Sequence, residues 1–315
     1  MRNAMRRPEV SVVIPTRNRA GLLERTLRAA LRQEDVEFEV VVVDDASTDD
    51  TTQRVTALSD GRVGLVRHDE RRGTSEARNS GIAAAKGDWI AFLDHDDLWP
   101  PHKLRTQLEA ADREGATFVY SGAVRVNEEL EIVHVDDAVV EPGELLPALL
   151  RANAIPGGGS SAMAKASLVD QAGDFDPRLQ LLEDWDMWIR LAARGSAAAV
   201  QEPLVAYLVY GGNVVLAEPF DLDRELDHLA TKHESLMASF GAHVNGMEAY
   251  RWVAWTRWRA RQRRAALRAY AHGVARYGTW HDTRFALRQA IKGSHEVLTR
   301  RPRRVQLQWL QELRS

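Results

Sequence analysis

Gly87-Asp88-Trp89-Ile90-Ala91-Phe92-Leu93-Asp94-His95-Asp96-Asp97 decides the fold. Its five consecutive apolar residues predict a short strand with both faces covered, because a strand with one wet face alternates polar and apolar positions. Three carboxylates and an imidazole follow at once. Upstream, Ser75 to Ala85 reads as a helix closed by Lys86-Gly87, and Val63 to Val66 as a short strand. Ser47-Thr48-Asp49-Asp50 has the pattern that caps and opens a helix. Phe38 to Val43 is a strand running into Asp44-Asp45. Leu23, Leu27, Ala30 and Leu31 recur at helical spacing between Ala20 and Gln33, and Val10 to Ile14 is a strand stopped by Pro15. The order β-α-β-α-β-α-β from Val10 to Leu93 predicts right-handed crossovers and a mostly parallel sheet with helices on both faces, an α/β fold.

Downstream the pattern loosens. Lys103 to Gly115 predicts a helix, Phe118 to Val126 and Ile132 to Val135 strands, Pro156 to Ser161 a flexible loop, and Asp184 to Arg194 a helix. From about Leu222 the chain reads as successive helices. The expected division is an α/β domain over residues 1–215 and a basic, helical C-terminal region over 216–315.

With 44% hydrophobic and 28% charged residues, the 315-residue chain can bury a sizeable core. The absence of cysteine excludes disulfides and thiolate metal sites and suits a reducing compartment, so any metal must use oxygen or imidazole ligands. Neither a secretion signal nor an apolar run near the ~20 residues that span a bilayer is visible. The expected location is cytoplasmic, either free or peripheral at the inner face of the membrane. Residues 251–315 hold 16 Arg and Lys against 3 Asp and Glu, whereas the whole chain is at -3. The two parts are therefore expected to meet different partners.

In open sheets of this kind ligands bind beyond the carboxyl ends of the strands. Thr16-Arg17-Asn18, Asp44-Asp45 and Asp94-His95-Asp96-Asp97 all fall at such ends. Carboxylates at alternate positions of an extended segment can share a cavity, and hard oxygen ligands suit Mg2+ or Mn2+ and, through it, phosphate oxygens. An isolated acidic quartet would more simply be a turn and a cap for the helix after Pro100-Pro101. Its place in the crevice beside Asp44-Asp45 favours the metal reading. Dinucleotide-fold and P-loop glycine patterns are both missing.

Val12-Val13-Ile14-Pro15-Thr16-Arg17-Asn18, Val43-Asp44-Asp45-Ala46-Ser47-Thr48-Asp49, Ala77-Arg78-Asn79-Ser80-Gly81, Gly87 to Asp97 and Leu182-Glu183-Asp184-Trp185-Asp186-Met187-Trp188 together resemble the ordered motif series of family 2 glycosyltransferases, which have the GT-A fold. The resemblance spans about residues 9–210 and leaves the helical appendage uncovered. It implies a nucleotide-sugar donor site in which Asp45 contacts the base, Pro15, Thr16 and Arg78 line the nucleoside pocket, and Asp94 approaches ribose or sugar. It further implies Asp96 as a direct ligand of Mn2+ or Mg2+ with Asp97 supporting it, and Asp184 as the catalytic base of an inverting displacement. The acceptor class implied is a saccharide, lipid-linked or small-molecule hydroxyl. A carboxylate can take the proton of an acceptor hydroxyl. Glu183-Asp184 also suits a helix N-terminus, and both roles can hold together.

One departure stands out. Many members carry a metal-binding histidine after the last core strand, but Tyr207-Leu208-Val209-Tyr210-Gly211-Gly212-Asn213 has none. His95 and His102 are not assigned a role. In the tail, Trp252, Trp255 and Trp258 lie among arginines, a combination suited to an anionic membrane surface over residues 251–304 and equally to packing on the catalytic domain. No recognised module for nucleic acid accompanies that charge. A sugar nucleotidyltransferase, or a degenerate protein that binds a donor without turnover, are the alternatives to glycosyl transfer.

Overall fold

A computed structural model describes residues 7–58, 60–136, 139–211, 216, 220–278 and 307–313. Its first half alternates as the sequence predicts. Strands β1 (Val10–Thr16), β2 (Phe38–Asp44), β3 (Val63–Arg67) and β4 (Trp89–Phe92) are joined by helices α1 (Ala20–Ala30), α2 (Thr51–Leu58) and α3 (Thr74–Ala84). All seven residues of β1 are buried, which is why its sequence does not alternate. β1 pairs in parallel with β2 on one side and β4 on the other, and β3 lies outside β2. The chain therefore winds outward from β1 through β2 and β3, then crosses back to place β4 on the far side of β1. That reversal opens a crevice at the carboxyl ends of β1 and β4.

Helix α4 (Lys103–Glu114) ends at Gly115, whose φ of +60° is a left-handed cap that favours glycine. The predicted strands β5 (Phe118–Val126) and β6 (Ile132–Val135) form an antiparallel hairpin. Between β4 and β5 lies β7 (Met163–Lys165), antiparallel to both, and β8 (Ala197–Leu208) runs parallel to β5. The pairing of β8 shifts register around Gly122, where an added Cβ would stand 2.9 Å from the Gln201 carbonyl oxygen. Only glycine allows that approach. Short helices α5 (Leu145–Leu149) and α6 (Ala166–Ala172) precede α7 (Glu183–Ala192).

After β8 come α8 (Leu222–Lys232), α9 (Glu234–Ser239), α10 (Gly246–Arg259), α11 (Arg263–Tyr277) and α12 (Gln308–Glu312). Leu222, Leu226, Leu229, Tyr250 and Val253 share one hydrophobic cluster with Phe92, Phe118 and Trp188 of the sheet and α7. Burying a side chain such as Phe92 contributes roughly 1.5–3 kcal/mol, so a shared cluster joins the helices firmly to the sheet. A polar clamp adds to it: the fully buried Asp186 carboxylate accepts from Arg190 (2.8 Å), Lys232 (2.9 Å) and His233 (2.8 Å). The division expected near residue 215 falls among residues outside the described ones, and the helices beyond it pack against the sheet and α7.

Candidate active site

A cavity of about 700 Å3 opens at the crevice, within the roughly 300–1,000 Å3 usual for small-molecule sites. Pro15, Thr16, Asp45, Arg78, Asp94, Asp96 and Asp184 all line it. Asp97 does not. Its carboxylate turns inward, accepting from Ser160 Oγ (2.5 Å) and the Leu208 N–H (3.1 Å). Burial, with Asp96 and Asp94 adding to it, pushes the Asp97 carboxyl well above its usual range. Its position fits a support beneath Asp96 and not a direct ligand.

Asp94 accepts from Arg78 Nη2 at 2.7 Å, and its N–H donates to Ser160 Oγ. Asp96 is raised by burial and by Asp94, against the pull of His95 and of a hydrogen bond from the Tyr210 hydroxyl. Arg19 Nε donates in turn to Tyr210 at 3.2 Å. Tyr210 thus occupies the neighbourhood of the acidic loop although it is no histidine. His95 also faces the cavity, with Nδ1 3.2 Å from the Pro15 carbonyl and Nε2 4.0 Å from Asp96. Two neighbouring carboxylates that face one cavity, Asp94 and Asp96, could hold a divalent cation. Among the described residues no group of three or more His, Cys, Asp or Glu forms a metal cage. Asp94 and Asp96 alone suit an ion that completes its shell with diphosphate oxygens and water, as Mg2+ commonly does.

Asp45 holds a neighbouring loop. It accepts from His68 Nδ1 (2.8 Å) and the Arg72 N–H (2.8 Å) at Oδ1, and from the Gly73 N–H (2.9 Å) at Oδ2. A carboxylate offers about four acceptor positions, so Oδ2 retains capacity for a ligand. Arg71 and Arg72 on that loop also line the cavity, which the sequence did not indicate. Thr16 Oγ1, Arg17 Nε and Arg78 Nε are buried without a hydrogen-bond partner in the protein. All three belong to cavity-lining residues, so a ligand in the cavity could satisfy them.

Arg78 also donates through Nη1 to Glu183 at 2.7 Å. It thereby ties the acidic loop to the first turn of α7. Burial raises the Glu183 carboxyl, against the opposing charge of Arg78. Burial likewise pushes Asp184 up to about 6, again opposed by Arg78. The Trp185 N–H (2.6 Å) and Asn153 Nδ2 (3.3 Å) orient the Asp184 carboxylate. Asn153 sits in an irregular loop where no sequence pattern marked it. Gly159 belongs to the loop predicted from Pro156 to Ser161, and a Cβ there would lie 2.8 Å from Arg78 Nη2. Glu248 and Trp252 of α10 complete the lining, so part of the tail reaches the site.

Comparison with known proteins bears on the fold and the family. The chain is 35% identical over 218 residues to succinoglycan biosynthesis protein ExoO of Rhizobium meliloti, covering 64% of this chain and 61% of the relative. It is 26% identical over 246 residues to the Escherichia coli UDP-Glc:alpha-D-GlcNAc-diphosphoundecaprenol beta-1,3-glucosyltransferase WfaP, covering 76% and 94% respectively. The chain spans 61% of ExoO and only about a third of several Rickettsia relatives, 34% of one. Staphylococcus aureus TarS 1-349 with UDP-GlcNAc shares the fold at a TM-score of 0.57 and 18% identity, over 84% of this chain and 71% of that one. The mannosyltransferase PcManGT of Pyrobaculum calidifontis, solved with GDP-Man and Mn2+, does so at 0.55 and 23%, over 92% and 81%. The model of glycosyl transferase family 2 matches residues 11–169, the segment that carries the reversed strand order, Asp45, Arg78 and the acidic loop, and the chain belongs to that family.

Proposed function

We propose that the chain is an inverting glycosyltransferase that moves a sugar from a nucleoside-diphosphate donor to a hydroxyl of a lipid-linked or other cell-envelope saccharide, assisted by Mn2+ or Mg2+. The observation that carries this reading is that Asp94, Asp96 and Asp184 line one cavity, with Arg78 joined to Asp94 and, through Glu183, to the turn that holds Asp184. Thr16 Oγ1, Arg17 Nε, Arg78 Nε and Asp45 Oδ2 supply hydrogen-bonding capacity for the nucleoside diphosphate. Asp94 and Asp96 would hold the cation, which when bound neutralises charge on the departing diphosphate.

Asp184 takes the proton of the acceptor hydroxyl. A carboxyl at about 6 is largely ionised at neutral pH, yet more basic than an ordinary aspartate. The acceptor oxygen bonds to the anomeric carbon as the bond to the diphosphate oxygen breaks, and the electron pair leaves with the nucleoside diphosphate. Attack from the face opposite the leaving group inverts that carbon.

WfaP is named for transfer to a diphosphoundecaprenol-linked sugar, which supports a lipid-linked acceptor and work at the inner membrane face. Among the described residues no helix is long and apolar enough to cross a membrane. Contact with an anionic surface would fall to exposed arginines such as Arg261, Arg264 and Arg268. Incubation with UDP- and GDP-sugars and Mn2+ tests the reaction: nucleoside diphosphate release is expected, and pyrophosphate release would make it a nucleotidyltransferase instead.

A further inference from the structure

We propose that α10 builds an acceptor subsite, in which a neutral sugar ring lies against Trp252 while Glu248 and Asp136 accept its hydroxyl protons. The proposal rests on the glycosyl-transfer reading above and adds to it a ligand class and the residues that select it.

Glu248, Trp252 and Trp255 are spaced i, i+4 and i+7, which puts them on one face of α10. Glu248 and Trp252 line the active-site cavity. Trp255, about one turn further along, is held where it is: the Arg125 guanidinium lies 4.7 Å from its ring centroid and the His134 ring 5.8 Å away. Arg125 stands near the end of β5 and pairs with Asp136 at 3.0 Å. The face is thus seated on the β5–β6 hairpin, which ends the sheet opposite to β2 and β3. Donor-side groups come from the loops after β1, β2 and β4, so α10 and the hairpin wall the cavity from the other end of the sheet. Asp184, the proposed base, lines the same space.

The chemistry of this wall is specific. Arg125 and Asp136 are both cavity-lining, and Asp136 Oδ2 is buried with no hydrogen-bond partner in the protein. Glu248 is half exposed, and its partner is Arg251 of the same helix. Ionised carboxylates only accept hydrogen bonds, so Asp136 and Glu248 match the hydroxyl donors of a sugar. An indole offers a broad apolar surface to the C–H face of a pyranose, leaving the ring's hydroxyls to the carboxylates at its edge. Trp252 and Trp255 therefore have a role inside the enzyme that the interfacial reading of the tail did not include.

Saturation-transfer NMR on the full chain, with UDP or GDP and Mn2+ present, uses the methyl glycosides of glucose, galactose, mannose and N-acetylglucosamine as probes. At least one should bind to the wild type, and Trp252→Ala should weaken that sugar about tenfold or more, the size of a lost aromatic anchor. Because Trp252 also packs against the main core, Trp252→Phe is the control that retains an aromatic wall. It should keep most of the binding, and Glu248→Gln should weaken it several-fold without touching the core. Nucleotide affinity should be unchanged in all three. Nucleotide binding by the wild type with no response from any glycoside overturns the subsite, as does undiminished sugar binding by both Trp252→Ala and Glu248→Gln. Failure of both UDP and GDP to bind would remove the glycosyl-transfer reading itself, and the subsite with it.

Discussion

Arg78 and Glu183 meet at 2.7 Å across 105 residues of sequence, both buried, and the contact locks α3 to the first turn of α7. The same guanidinium holds Asp94, so one side chain sets the geometry between the acidic loop and the turn bearing Asp184. Replacing Arg78 with methionine strands Glu183 in the interior. Breaking a buried pair in this way costs about 3–5 kcal/mol, so calorimetric unfolding should show a large fall in Tm. Arg78→Lys should not restore nucleotide affinity, because a lysine cannot reach both carboxylates with a planar fork.

On the proposed mechanism Asp184 should set the acid limb of the rate. Its carboxyl at about 6 must be ionised to accept a proton, so transfer should rise with pH through about 6 and level off above it. Asp184→Asn should lower turnover about 10²–10⁴-fold, the usual contribution of general-base catalysis. Donor affinity should survive. A pH–rate profile of the wild type, with donor titrations of the variant, checks both halves.

The acidic loop should divide its labour between neighbours. Asp96→Ala should reduce the Mn2+-dependent part of UDP or GDP binding in isothermal calorimetry. Asp97→Asn should act mainly on stability, because Asp97 bonds Ser160 and Leu208 inside the protein. Tyr210→Phe removes the hydroxyl that reaches Asp96 and should weaken Mn2+-supported binding less than Asp96→Ala does. Equal effects of Asp96→Ala and Asp97→Asn on metal-supported binding would contradict this division.

Asp186 joins α7 to α8 and the residue that follows it. Burial works to raise its carboxyl, but His233, Arg190 and Lys232 together hold it at about 2. With the folded value below the ordinary 3.8 of the free side chain, the stabilisation is complete above that range and is lost as pH falls through about 2. Asp186→Asn leaves Arg190, Lys232 and His233 without their shared carboxylate and should destabilise the chain by about 3–5 kcal/mol. Thermal unfolding near neutral pH against pH 2 measures both effects: the gap between wild type and variant should narrow at the acid end.

The parts of this protein legible in sequence are those whose physics is local. β1, β2 and β4 are buried at nearly every position and so read as largely apolar runs, interrupted only by Ser11 in β1 and Glu39 in β2 before their polar ends. Asp94 and Asp96 share the cavity as their alternate spacing predicts, while Asp97, one position on, turns inward. β8 is harder to read because Gln201-Glu202-Pro203 interrupts it where its register shifts against β5. Asn153 and Arg72 reach the site from loops whose course depends on distant packing. The Glu248, Trp252 and Trp255 stripe is visible as a helical face, but what that face covers is decided by Arg125, 130 residues from Trp255. The tail's charge says nothing of that contact.

The central claim, one site in which Asp94 and Asp96 hold the diphosphate side and Asp184 activates the acceptor, is tested most directly by NMR of nucleotide-sugar turnover. With Mn2+ and an accepting saccharide, the wild type should consume the donor, release nucleoside diphosphate and form a product of opposite anomeric configuration. Asp184→Asn should bind the same donor and form almost none. Retained configuration, or turnover by Asp184→Asn at the wild-type rate, would contradict it.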